Sequence, residues 1–281
     1  MREIDCMQIT ETISALFQEA CVDIPDDLLA ALKQAREREE SPVAKDVLDK
    51  MVENTEIACS ERTPLCQDTG FAVVMLEIGQ DLHITGGYLY EAIEEGVRQG
   101  YDKGYLRKSI ARQPFSARVN TKDNTPPIIH TDIVTGDKLK ITVLPKGGGS
   151  ENCSRLTVLT PAKGRQGVID FVVNLVSDSG SNPCPPVVIG LGIGGTTDMT
   201  MTIAKKALTR KIGDPNPDPE VAELEREILQ KINNLGIGPM GYGGRTTALA
   251  VHAEVYPAHI ASLPVAVNVQ CWCARRKEAI L

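Results

Sequence analysis

Apolar residues recur three and four positions apart along the first 60 residues. Ile13, Leu16, Phe17 and Ala20 share one helix face; Leu28, Leu29, Leu32 and Ala35 share another, with Asp26 placed to cap it. Pro42 suits the first turn of a third helix over 42–58. The period then changes. Leu65–Gly70 reads as a turn, and Phe71–Ile78 is an apolar run of strand length. Gly86–Gly87 leads into a helix over about 88–103.

Residues 107–126 are polar and irregular. Two strands, 128–134 and 138–144, are predicted to pair as a hairpin through Thr135–Gly136–Asp137. A helix over 161–178 precedes a short buried strand, Val187–Ile189, and a glycine-rich turn. Helices over 197–210 and 219–234 follow, and 245–255 and 262–271 alternate like paired strands. The mixture predicts an α/β protein of mixed α+β character: a helical N-terminal segment to about residue 60, then mixed sheets flanked by helices. A single domain over 1–281 is expected, with the proline-rich segment 213–219 as the candidate internal boundary.

Composition changes this picture little: 42% apolar and 24% charged residues are ordinary for a globular chain. A net charge of −7 argues against a nucleic-acid partner. The cluster Arg275–Arg276–Lys277 reads as a solvated tail. No apolar run approaches the ~20 residues that span a bilayer. The N-terminus lacks the basic flank and apolar core of a signal peptide, so a cytoplasmic protein is expected. Its cysteines should then be reduced, which leaves metal binding, catalysis or burial.

Three cysteines stand apart by their settings. Cys66 sits in the turn Pro64–Leu65–Cys66–Gln67–Asp68–Thr69–Gly70, Cys184 lies between prolines, and Cys271 ends a strand. Cys6, Cys21 and Cys59 fall on predicted helices, where cysteine is a small apolar filler. The three are far apart and form no C-x-x-C pair, so spacing alone carries little. By residue type, Asp68 reads as a turn-capping residue, Arg107 as a surface arginine and His259 as a structural histidine. Gly190–Gly195 satisfies G-x-G-x-x-G, but the acidic residue a dinucleotide site needs would fall in the 213–219 loop, where no strand is predicted. Zinc is disfavoured because Cys271-x-Cys273 is closer than the usual pairing.

The motifs PLCQDTG, KGGGSEN, NPCPP and VNVQCW, in that order, resemble those of class I (iron–sulfur) fumarate hydratases and L(+)-tartrate dehydratases. The resemblance spans roughly residue 40 to the C-terminus, and the length is similar to the α subunit of the two-subunit form. It implies that Cys66, Cys184 and Cys271 hold a [4Fe–4S] cluster. It implies that Gln67 and Asp68 contact substrate, that Arg107 grips a substrate carboxylate, and that Gly147, Gly148 and Gly149 form a loop whose backbone approaches it. His259 would pair with Asp68, and the two would handle the proton on the leaving-water side; Cys273 would be a non-ligand.

What the resemblance implies is reversible hydration of a C4 dicarboxylate, fumarate to (S)-malate, by a Lewis-acid iron. The base would come from a β subunit, in a heterodimer that is itself doubled. L(+)-tartrate dehydratase is the alternative activity. A non-catalytic α/β binding or scaffold subunit is the alternative of a different class.

Overall fold

The computed structural model describes residues 2–281. In chain order it contains β1 (Arg2–Asp5), α1 (Cys6–Val22), α2 (Asp26–Arg38), α3 (Pro42–Glu61), β2 (Phe71–Gly79), β3 (Leu82–Thr85) and α4 (Leu89–Lys103). Then come β4 (Ile128–Val134), β5 (Leu139–Lys146), α5 (Gly148–Asn152), β6 (Arg155–Leu159), α6 (Gly164–Ser179), β7 (Val187–Gly194) and α7 (Thr197–Ala207). The chain ends with α8 (Pro219–Asn233), β8 (Ala248–Tyr256), β9 (Leu263–Gln270) and β10 (Lys277–Ile280). Helices flank mixed sheets, as the alternating periods predict. Two compact units form. One holds residues to Pro25, Asn54–Gly148 and Arg275–Leu281; the other holds Asp26–Glu53 and Gly149–Ala274. The proline-rich segment 213–219 lies inside the second.

In the first unit, α1 starts where the Asp5 carboxylate accepts from Met7 N at 2.8 Å, a side-chain cap. Ile9, Ile13, Phe17 and Ala20 are buried on its inner face and pack against the four-stranded sheet β10-β5-β2-β4. The predicted hairpin is absent. β2 lies between β4 and β5, parallel to the first and antiparallel to the second. Ala72–Leu76 of β2 are all buried, so this strand takes the centre, where both edges of its backbone are paired. The 135–137 turn instead closes over its end. There Gly79 N donates to Lys138 O at 2.8 Å and Gln80 N to Val134 O at 2.8 Å.

In the second unit the sheet order is β6-β9-β7-β8, with α7 and α8 packed against it. β8 and β9 are not partners; β7 separates them. β7 is also longer than predicted, because the glycine-rich segment is strand rather than turn. A Cβ on Gly190 would lie 2.0 Å from Ala204 O, and one on Gly192 would lie 2.1 Å from Thr200 O. These glycines let α7 lie directly on the strand, a packing role that also removes the dinucleotide-loop reading.

Candidate active site

The turn between α3 and β2 is held from several sides within the first unit. Its start is tied down by Leu65 N donating to Cys21 O at 2.8 Å and by Asn54 Nδ2 donating to Leu65 O at 3.0 Å. The Tyr101 hydroxyl donates to Thr69 O (3.0 Å) and Gly70 O (3.2 Å), and Asn124 Nδ2 donates to Gly70 O (3.1 Å). Burial pushes the Tyr101 phenol well above its ordinary range, so it stays a donor. Gly70 has φ +72°, and a Cβ there would lie 2.1 Å from Lys146 O, so only glycine closes this turn onto β5.

The predicted residues of this unit come together. Cys66, Gln67 and Arg107 line one cavity of about 400 Å³ with Pro64, Thr69 and Tyr105. Thr69 Oγ1 donates to Arg107 O at 2.9 Å, which fixes the arginine's main chain beside the turn. Cys66 and Asp68 are half-buried; Gln67 and Arg107 are exposed. The Asp68 carboxylate accepts from Gly148 N at 2.7 Å through Oδ2. Gly148 and Gly149 open the short helix α5, and neither takes positive φ. The GGG segment is therefore not an open left-handed turn, because a helix starts within it.

The second unit holds the rest. Cys184 has φ 54°, an uncommon value for a residue with a side chain, and its N–H donates to Ser181 O at 3.0 Å. Trp272 N donates to Cys184 O at 3.2 Å, which ties the segment just after Cys271 to the Cys184 turn. Cys273 is buried. His259 is exposed in the loop after β8, and its Nδ1 accepts from Ala261 N at 3.2 Å. His259 and Asp68 belong to different units.

Several residues carry more than the sequence suggested. Arg275 is 1% exposed, so it is not part of a solvated tail. Its guanidinium donates to Asp68 O at 2.9 Å, and Lys277 pairs with Asp23 at 2.6 Å as β10 joins the sheet. The tail is drawn in because β5 would otherwise present an open edge. In the second unit Glu151 of KGGGSEN accepts from Lys205 Nζ (2.6 Å) and Asn268 Nδ2 (3.2 Å). Asn268 had a visible signal, a polar residue inside the apolar alternation Val265–Val269. Arg275 had none, since one arginine among three basic residues looks like its neighbours.

A [4Fe–4S] cluster can be tested against the donors present. None of the described cysteines is in a disulfide. Cys66, Cys184 and Cys271 are the three of intermediate exposure, while the others are either buried or exposed. Three half-exposed thiols on turns and strand ends fit a group with one open corner better than plain burial does. Among the described residues, no three His, Cys, Asp or Glu side chains already converge on one metal ion. Among them, too, no helix is long and apolar enough to cross a membrane.

The turn between α3 and β2 places a thiol, an amide and a nearby guanidinium around one cavity, with a carboxylate on the same turn; comparison with known proteins makes the chain's class hydro-lyase. The family model described as fumarate hydratase (Fumerase) matches residues 10–280, and the chain belongs to that family. A protein of Methanocaldococcus jannaschii, provisionally named L(+)-tartrate dehydratase subunit alpha, is 42% identical over 276 residues, covering 96% of each chain. The L(+)-tartrate dehydratase subunit alpha of Escherichia coli strain UTI89 is 34% identical over 273 residues, 96% of this chain and 89% of its own. That of strain K12 is 33% identical over the same shares.

Proposed function

We propose that this chain is the cluster-bearing α subunit of a class I fumarate hydratase, with Cys66, Cys184 and Cys271 as ligands of a [4Fe–4S] cluster. The observation that carries it is the Cys66–Gly70 turn: it presents a thiol, Gln67 and Asp68 in order, with Arg107 beside it. When bound, the cluster supplies a Lewis acid at the iron that lacks protein sulfur.

The chain's own residues bind, orient and handle a proton. Arg107 offers a planar fork to one carboxylate of the C4 dicarboxylate. Gln67 is exposed beside it and can donate or accept at the substrate's polar groups. Asp68 holds the proton on the leaving-water side, assisted by His259. Gly148 spends its N–H on Asp68 Oδ2, so the glycine segment serves the site by aiming that carboxylate as well as by admitting substrate to Gly147 and Gly149. The base for the C3 proton comes from a β subunit, which positions it against a locked substrate.

The names of the relatives favour a second reading, L(+)-tartrate dehydratase, on the same residues and cofactor. The experiment is co-expression with a β subunit of the same family, followed by anaerobic assay with (S)-malate and with L(+)-tartrate. Malate dehydration that needs both chains supports the first reading. Turnover of tartrate alone replaces it by the second. Full activity of this chain by itself ends the split-site reading.

A further inference from the structure

The carbonyls of Asp68, Thr69 and Gly70 each accept a side-chain hydrogen bond, and one of the donors differs in kind. Thr69 O and Gly70 O take neutral partners, Tyr101 and Asn124. Asp68 O takes a guanidinium, Arg275, at 2.9 Å. Arginine keeps its charge at every working pH, and burying a charge is costly unless pairing or hydrogen bonds offset the lost hydration. Arg275 is 1% exposed and reaches the turn from 207 residues away in sequence. The buried Cys21 thiol lies within the field of this guanidinium, and Cys21 O accepts from Leu65 N at 2.8 Å. Asp68 is pinned at two points, its carbonyl by Arg275 and its Oδ2 by Gly148 N.

We propose that Arg275 is the positioning residue of Asp68: a permanent buried cation that fixes the main chain at Asp68 so that its carboxylate is held in the reactive place. It touches no substrate and acts only through Asp68. This rests on the reading of Asp68 as a substrate-contacting group.

The test uses the anaerobically purified complex with the β subunit, with kcat normalised to bound iron. Arg275→Met removes both charge and donor, Arg275→Gln keeps a donor, and Arg275→Lys keeps the charge. Misplacing a catalytic group by about an ångström costs on the order of a hundredfold. Arg275→Met is therefore expected to lower kcat per iron by about ten- to a hundredfold, with iron and sulfide per chain unchanged. Arg275→Lys should recover more of the loss than Arg275→Gln. In an Asp68→Asn background, Arg275→Met should lower kcat no further, because both changes remove one function.

A wild-type kcat per iron in Arg275→Met overturns the inference, as do losses that multiply with those of Asp68→Asn. If Arg275→Met does not fold, equal kcat per iron in the Gln, Lys and wild-type enzymes overturns it instead. A fully active Asp68→Asn enzyme is a separate result: it removes the role given to Asp68, and this inference falls with that reading rather than on its own evidence.

Discussion

The N–H of Gly148 donates to Oδ2 of Asp68 at 2.7 Å, joining two motifs that lie 80 residues apart. A Cβ on Gly148 would sit 3.7 Å from that oxygen, an ordinary contact, and alanine keeps the N–H. Gly148→Ala should leave the melting temperature unchanged or slightly raised, since alanine also favours the helix that starts there. If substrate lies against this backbone, the added methyl raises KM. Steady-state kinetics on the complex decide it: an unchanged KM places the substrate elsewhere.

The cysteines make a prediction that does not depend on activity. Serine at Cys66, Cys184 or Cys271 should each lower the iron and sulfide held after anaerobic reconstitution and weaken the visible charge-transfer absorbance. Serine at Cys273, which is buried, should leave both at the wild-type level. Full iron in any of the first three variants would strike that residue from the ligand set.

Gly190 tests the packing of α7 on β7. Alanine there would bring a Cβ to 2.0 Å from a backbone carbonyl, which cannot move as a flexible side chain does. Overpacking of this kind costs about 1–3 kcal/mol or more. A melting curve of Gly190→Ala should shift clearly downwards; a wild-type curve would show that α7 stands further from the strand.

Glu39 supplies a pH dependence. Burial pushes its carboxyl upwards, but backbone N–H groups of Arg245, Ser41 and Glu40 favour the charged form and prevail, leaving it below its ordinary value. A folded value below the unfolded one contributes stability that is present above the unfolded carboxylate range. That contribution is lost as pH falls through the folded value. Glu39→Gln should therefore destabilise near neutrality, by about 1.5–3 kcal/mol if a charged hydrogen bond is lost. The gap to wild type should close in acid. Urea titrations across pH measure this, and a gap independent of pH would refute the charge as its cause.

Elements with a strong local signal were legible. The helical faces at Ile13–Ala20 and Leu28–Ala35, the apolar run of β2 and the Pro42 helix start appear as the sequence predicts. Strand partners were not. The Thr135–Gly136–Asp137 turn looks like a hairpin locally, but the burial of Ala72–Leu76 makes β2 the strand between. The glycines at 190 and 192 look like a loop, because their reason lies in a helix that passes over them.

The sequence by itself determined the class of the fold and the motif residues. It did so because period, turn chemistry and motif are local properties of neighbouring residues. Tertiary structure decided which strands pair, that α5 begins inside the glycine motif, and that Arg275 is buried behind Asp68. Each depends on what a distant segment brings to the same place. A backbone carbonyl or a buried charge selects its partner by proximity in space, and the sequence does not encode that proximity in any short window.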